Sequence, residues 1–315
     1  MRILDLHSHW GTERGYVLRS HEALAQQKKT WNSTASYDTE DEMAAYFRAN
    51  DVRTILDFGF TKSLPLDEVI PLHDYALDVQ RAHPDVIFGN WVQIDPRLGI
   101  AGARELERCI DSSDGFVSYC ISASGMGFVA SDPIYAPFLE VCRDAGVPVL
   151  VLVGHTGSGA GLPGGGGIKL DLCHPRYVDW LAADWPTLKI IAGRPAWPWQ
   201  DDMIAILLHK PNVWNELHGW SPKYFTDGLK REMRSRLKDR MLFGADYPLF
   251  RYERLVQDWR ELGYSDDVLE RVFHRNAETL FGLSPIKADV TRMKAVASPT
   301  TSAAMNPATS PQKRA

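Results

Sequence analysis

The chain has 315 residues, of which 44% are hydrophobic and 24% charged, and its net charge is −5, a composition typical of a folded globular protein. The acidic balance excludes a basic nucleic-acid-binding face, and the lack of any run of about 18 apolar residues argues against a membrane span. The four cysteines lack CxxC spacing, which leads us to expect reduced thiols. The N-terminus has no secretory signal, so we expect a cytoplasmic location. We also expect the partner to be a small-molecule substrate.

Eight short apolar runs alternate with more polar segments and predict eight parallel strands. Most runs are continuously apolar, as expected for strands that are buried on both faces. The predicted strands are residues 2–9, 53–60, 86–94, 116–121, 148–155, 188–194, 212–219 and 241–248. Helical periodicity follows at residues 39–50, 72–82, 103–111, 134–145, 175–184, 200–209, 251–262 and 267–281.

This alternation predicts an α/β protein, and eight units of this size favour a closed (β/α)8 TIM barrel over an open doubly wound sheet. No GxGxxG motif follows the first strand, which further disfavours a dinucleotide-binding sheet. We expect residues 1–283 to form one barrel domain, with residues 11–36 as a loop over its mouth. Residues 284–315 are rich in Ala, Ser, Thr and Pro without periodicity, and predict a disordered tail.

Metal-ligating side chains stand at the ends of three predicted strands, where the catalytic groups of such barrels lie. His7 and His9 are two residues apart, so their imidazoles lie on the same side of the first strand. His155 follows the apolar run VLVLVG and Asp246 follows the eighth strand in GADYP. A core histidine satisfied by a backbone carbonyl is the alternative for His155. Taken together, the four residues predict a divalent-metal site, because a buried carboxylate needs a cationic partner.

The motifs DLHSH, GADYP and FHRNAETLFGL, with the lone histidine after the fifth strand, resemble the amidohydrolase superfamily. The resemblance covers residues 1–283 and is to the branch of aminocarboxymuconate-semialdehyde decarboxylase. It implies that His7, His9, His155 and Asp246 hold one divalent ion, zinc in the first instance and manganese as the alternative. It also implies a homodimer and a catalytic role for Asp246 as proton acceptor.

The chain departs from this family at the sixth strand, where relatives usually carry a catalytic histidine and this sequence has Arg194 in IIAGRPAW. Arginine cannot act as a base, but it grips carboxylates well, so Arg194 is expected either to anchor substrate or to pair with a carboxylate at the barrel mouth. We expect His218, after the seventh strand, to supply the missing imidazole. Glu216 lies deeper on the same side, as its orienter, a structural group or a substrate contact.

Aromatic and glycine residues surround the predicted site. Trp10, Trp197, Trp199 and Trp220 are expected to form a wall for a planar substrate, with a subunit interface as the alternative. The glycine-rich segment (residues 156–167) is expected to be a lid, with a phosphate or CoA contact as the alternative.

Three functions fit these residues. The first is a metal-dependent hydrolase, in which water activated by the metal attacks a carbonyl of a small carboxylated, aromatic acyl or lactone-type substrate, with Asp246, His218 and Arg194 as catalytic residues. The second is a non-oxidative decarboxylase of an aromatic or muconate-type acid. The third is a non-catalytic metabolite-binding barrel. The loss of the sixth-strand histidine inclines the prediction towards hydrolysis.

Overall fold

The apolar runs of the sequence form eight short parallel strands in the computed structural model, which describes residues 2–16, 20–31 and 38–283. The strands are β1 (Ile3–His9), β2 (Val52–Asp57), β3 (Ile87–Val92), β4 (Phe116–Ile121), β5 (Val149–Leu152), β6 (Ile190–Gly193), β7 (Val213–Glu216) and β8 (Met241–Leu242). Each strand pairs with the next one in chain order. The predicted (β/α)8 barrel is therefore confirmed. The predicted tail, residues 284–315, lies outside the described residues.

Main-chain hydrogen bonds between the first strand and the segment after the last one close the barrel. The N–H of Leu6 donates to the carbonyl of Phe243 and the N–H of Asp246 donates to the carbonyl of His7, each at 2.9 Å. Two of the predicted ligands, His7 and Asp246, thus lie at the seam where the two ends of the barrel meet.

Helices cover the outside of the barrel. They are α1 (His21–Trp31), α2 (Glu40–Ala49), α3 (Leu66–Ala82), α4 (Gly99–Ser112), α5 (Ala123–Met126), α6 (Ala136–Asp144), α7 (Arg176–Asp184), α8 (Gln200–His209), α9 (Asp227–Glu232), α10 (Tyr252–Arg260), α11 (Asp266–Glu270) and α12 (Asn276–Phe281), with a π-helical turn joining α11 to α12. Among the described residues, no helix has the length and apolar character needed to cross a membrane.

The first helix corrects the prediction of a loop over residues 11–36. The hydroxyl of Ser20 accepts the N–H of Ala23 at 3.0 Å and so satisfies a free amide of the first turn. Glu22 lies in the first turn and Lys28 in the last, each with the sign that the helix dipole favours. Capping and charge order stabilise α1 although its sequence lacks a strong apolar stripe.

Several strands end earlier than predicted. The fifth ends at Leu152 rather than at residue 155, and the eighth at Leu242 rather than at residue 248. Gly154 (φ 71°), Arg194 (φ 74°) and Asp246 (φ 60°) have left-handed backbone conformations, which no strand continues through. The functional side chains therefore lie on the turns that leave the strands.

Apolar side chains make up much of the barrel interior. The inner cluster of fully buried side chains includes Leu6, Ile55, Cys120, Leu150, Ile191 and Leu242. A second and larger cluster packs the strands against the helices.

A buried ion network between α3 and α4 leads to a prediction about acid stability. Although burial alone would raise the pKa of Glu105, hydrogen bonds from Arg108, His73 and Cys109 lower it from an ordinary value of 4.5 to about 2. A carboxylate with a lowered pKa stabilises the fold above its ordinary pKa, and this contribution is lost as the pH falls towards 2. At pH 7, Glu105→Gln should therefore cost about 3 kcal/mol in the free energy of unfolding.

Urea unfolding of both proteins between pH 7 and pH 2.5 measures this effect. The difference in the free energy of unfolding between wild type and Glu105→Gln should become smaller as the pH falls below about 4. Glu107→Gln, an exposed carboxylate on the same helix, is the control and should change stability little. A gap of constant size across this pH range would contradict the prediction.

Candidate metal and active site

Two imidazoles and one carboxylate converge at the mouth of the barrel. Ligand atoms of His7, His9 and Asp246 all lie within 4.8 Å of one another. His9 Nε2 is 3.1 Å from Asp246 Oδ1, and the rings of His7 and His9 stand edge to face with centroids 5.1 Å apart. Two nitrogen donors and one oxygen donor suit a first-row divalent cation, so these residues fit the metal that the sequence predicts.

The charges of this group support one another. Burial alone would lower the pKa of His9, but the hydrogen bond and charge of Asp246, with the charge of Asp57, raise it. Burial would raise the pKa of Asp246, but the hydrogen bond from His9 and the charges of His9, His7 and Arg194 lower it. Asp246 is thus held as a carboxylate, which is the form that binds a cation.

A buried carboxylate below the site holds β1 in place. Pairing of β1 with β2 shifts register between Asp5 and Ser8. Asp5 accepts the main-chain N–H groups of His7 and Ala245, each at 3.0 Å, and the hydroxyls of Ser8 and Tyr252, each at 2.5 Å. Burial raises the pKa of Asp5 to about 6 against these hydrogen bonds. These contacts fix the backbone from which the two histidines project.

Asp57 was not singled out from the sequence, although it is the last residue of β2 (VRTILD), where the strand-end rule identifies it. Its Oδ2 lies 3.6 Å from His7 Nε2. Gln93 donates to both oxygens of Asp57, at 2.8 and 2.9 Å, and so orients the carboxylate beside His7. Asp57 is therefore a further acidic group next to the candidate metal site.

A buried histidine–glutamate pair adjoins the metal-binding residues. Glu216 Oε2 lies 2.5 Å from His218 Nδ1, and the ring of His218 stacks on that of His7 with centroids 3.7 Å apart. Burial lowers the pKa of His218 well below its ordinary value and raises the pKa of Glu216 well above its own. His218 Nε2 is buried and has no protein partner in the described part of the chain.

Arg194 lies among these groups with a left-handed backbone, which is uncommon for a residue with a side chain and typical of functional sites. Burial lowers the pKa of His155, and the positive charge of Arg194 lowers it further. Its Nη1 is buried without a hydrogen-bond partner. Within the described ranges, no carboxylate lies within ion-pair distance of Arg194, which favours the prediction of a substrate anchor over that of a structural pair.

His155 does not join the metal-binding group. Its ring lies among three indoles, with centroids 6.1 Å from Trp31, 5.8 Å from Trp197 and 6.1 Å from Trp220. At Gly154, a Cβ would come within 2.7 Å of the Ala196 backbone, so glycine allows the turn that carries His155 to lie against the loop after β6. The structure thus brings together three of the four predicted ligands, and the role of His155 stays a prediction.

Comparison with known proteins identifies the family of this chain. The amidohydrolase family profile matches residues 66–283, more than half of the chain. The chain belongs to the amidohydrolase family. The matched region contains His155, Arg194, His218 and Asp246, whereas His7 and His9 precede it. No significant match was found among curated proteins.

Solved amidohydrolase-type barrels share the fold at low sequence identity. A dihydroxybenzoic acid decarboxylase from a Polaromonas species, with bound manganese and the inhibitor 2-nitroresorcinol, matches with a TM-score of 0.66 and 17% identity, over 92% of this chain and 99% of that one. A 5-carboxyvanillate decarboxylase from Novosphingobium aromaticivorans is complexed with manganese and 4-hydroxy-3-methoxy-5-nitrobenzoic acid. It matches with a TM-score of 0.65 and 15% identity, over 90% of this chain and 96% of that one. A Pseudomonas putida protein described as a 2-pyrone-4,6-dicarboxylic acid hydrolase matches with a TM-score of 0.58 and 16% identity, over 90% of this chain and 99% of that one.

Three predicted substrate contacts of this amidohydrolase pack against neighbouring side chains, and their role in binding substrate stays a prediction. Trp10 is fully buried between Phe58 and Tyr75, because alternation along β1 turns it away from the face that carries His9. Trp199 packs on His174 with centroids 4.6 Å apart, outside the group around His155. Glu216 is fully buried against His218, which supports the orienting role.

The glycine-rich segment of this amidohydrolase contains six glycines with positive φ, between 60° and 82°. Only glycine adopts such a run of left-handed conformations without strain. Both interpretations of the segment, a lid and a phosphate or CoA contact, stay predictions.

Proposed function

We propose that this amidohydrolase is a divalent-metal-dependent, non-oxidative decarboxylase of small aromatic acids. One observation carries the proposal. The pair of His218 and Glu216 is buried directly beside the candidate metal group, and its free nitrogen, His218 Nε2, has no protein partner. Such a pair can deliver a proton to a substrate that is held at the metal-binding residues.

His7, His9 and Asp246 would hold the cation, with His155 as the proposed fourth ligand. Manganese is the metal bound in both decarboxylase structures, and zinc suits the same donors. When bound, a divalent cation supplies positive charge that binds the carboxylate of the acid and a neighbouring oxygen. Arg194 would grip the remaining oxygen and keep the acid in one orientation.

The proton moves through the buried pair. His218 Nε2 donates its proton to the ring carbon that bears the carboxylate, while Nδ1 takes the proton of Glu216. The bond between that carbon and the carboxylate then breaks, and its electron pair restores the aromatic ring as CO2 leaves. Solvent returns one proton to the pair. Because Glu216 and His218 are buried in direct contact, the proton passes between them without an intervening water.

Hydrolysis is the second candidate, and Arg194 at the sixth-strand position favours it, because decarboxylating relatives carry a histidine there. In that reaction Asp246 would accept a proton from the attacking water and His218 would polarise the carbonyl. Structural likeness to decarboxylases, at TM-scores of 0.66 and 0.65 against 0.58 for the pyrone hydrolase, supports decarboxylation as the first candidate. Family membership favours an enzyme over a non-catalytic metabolite-binding barrel.

Product analysis separates these functions. Purified protein loaded with manganese or zinc is incubated with 2,6-dihydroxybenzoate, 5-carboxyvanillate and 2-pyrone-4,6-dicarboxylate. We expect CO2 release from a benzoate in D2O, with deuterium at the carbon that the carboxylate left. Chelation should abolish this release, and re-addition of the metal should restore it. Ring opening of the pyrone without CO2 release from either benzoate would establish the hydrolase instead.

The proposed assembly is a homodimer in the cytoplasm. Sedimentation velocity of the full chain tests the assembly, and a single species at monomer mass would contradict it.

A further inference from the structure

A cluster of three tryptophans at the barrel mouth is contributed by three distant parts of the chain. Trp31 ends α1, Trp197 follows β6 and Trp220 follows β7. The centroids of Trp197 and Trp220 are 5.6 Å apart, and each of the three indoles lies within 6.1 Å of His155. We call these three residues the indole cluster.

Trp31 reaches the cluster because α1 docks on the glycine-rich segment. Thr30 Oγ1 donates to the Ala160 carbonyl at 3.5 Å. At Gly161, where φ is +79°, a Cβ would lie 2.6 Å from Thr30 Oγ1 and 2.8 Å from Gln26 Nε2. Any side chain at position 161 would therefore collide with Thr30 and Gln26 and disturb the contacts that hold α1, which carries Trp31, on the glycine-rich segment.

Much of the cluster is not covered by the part of the chain that the structure describes. The exposed fraction is 49% for Trp31 and 42% for Trp197. Large indole faces that remain open beside His155, the proposed fourth ligand, are suited to a planar ring, which stacks on them or meets them edge to face. Trp180 on α7 is equally exposed, at 54%, but its ring contact is Tyr177.

We propose that Trp31, with Trp197 and Trp220, binds the ring of the substrate, and that Trp31 selects planar aromatic acids against saturated acids of the same size. The physical reason is the quadrupole of the indole, which favours an aromatic partner and has no counterpart in a saturated ring. The inference rests on the proposed function for the acid group that reacts, but ring binding is measured without turnover.

The test compares benzoate with cyclohexanecarboxylate, which share the carboxylate and the ring size. Calorimetric titration of the manganese-loaded full chain gives the Kd of each acid. Trp31→Ala should weaken benzoate binding about tenfold and change cyclohexanecarboxylate binding little. Trp31→Phe should restore most of the preference, and Trp180→Ala should leave both constants unchanged. Equal weakening of the two acids by Trp31→Ala, or none, would overturn the proposal.

A second pair of variants tests the placement of Trp31 without changing it. Gly161→Ala should lower the preference for benzoate as Trp31→Ala does, because the added Cβ displaces the Thr30 and Gln26 side chains that dock α1. Gly164→Ala introduces the same kind of left-handed strain, at φ +60°, with no neighbouring atom within 4 Å, and should keep the preference. If both glycine variants lose the preference for benzoate, or if neither does, then the docking of α1 on the glycine-rich segment does not position Trp31.

The two proposals fail in different ways. CO2 release together with an unaltered benzoate preference in Trp31→Ala overturns only the role of Trp31. A lost preference in Trp31→Ala without CO2 release from any benzoate overturns only the decarboxylase.

Discussion

Asp246→Asn is expected to lose the divalent cation and, with it, activity. An amide oxygen lacks the charge of the carboxylate that now lies 3.1 Å from His9 Nε2. Since changes to the groups around metal ligands alone cost 10–100-fold in affinity, loss of the charged ligand should cost at least about a hundredfold. Metal content after dialysis, measured by plasma mass spectrometry, and CO2 release together report the effect.

Two controls separate loss of the ligand from loss of the fold. Asp239→Asn alters an exposed carboxylate paired with Arg271 on the outside of the barrel and should keep the metal. Glu105→Gln is expected to be less stable but should also keep the metal. Wild-type metal content in Asp246→Asn would refute the assignment of Asp246 as a ligand.

His218→Asn is expected to keep the metal and lose about 10²–10⁴-fold in rate, which is the range for removal of a general acid or base. Asparagine approximates the shape of the ring near Cβ, but it has no nitrogen at the position of Nε2 and cannot pass a proton on. The rate constant for CO2 release and the metal content are measured on the same preparation.

The partner of His218 offers an internal check on this prediction. Glu216→Gln keeps a hydrogen bond to Nδ1 but cannot donate and recover a proton, so its rate should also fall while substrate KM changes little. A near wild-type rate in His218→Asn would contradict the role of His218 in proton transfer. A rate loss that is accompanied by loss of metal would show that His218 acts through His7.

The fold and most of the candidate site could be predicted from local chemistry. Continuous apolar runs indicate buried parallel strands, and the C-terminal ends of such strands share one face, which predicts that His7, Asp246 and His218 lie close together. The same rule applies to Asp57, and the spacing of two residues between Glu216 and His218 predicts their contact.

What could not be predicted depends on geometry that the pattern does not encode. The left-handed backbones of Arg194 and Asp246 occur in the turns that follow β6 and β8, and the apolar pattern does not predict them. Trp31 lies in a polar segment, and its position beside His155 depends on a close approach of α1 to Gly161. Trp10 directly follows His9 in the sequence but lies on the other face, since neighbouring residues of a strand point to opposite faces.

The seam between β1 and the end of β8 has a consequence for biogenesis. The residues that would hold the cation come from opposite ends of the barrel domain, and they meet at the seam where Leu6 contacts Phe243 and Asp246 contacts His7. A chain emerging from the ribosome therefore has no complete binding group until its last strand is released. A cation that binds only the closed barrel draws the folding equilibrium towards closure. Metal supply during synthesis should thus set the yield of native protein, in addition to the rate at which each finished molecule works.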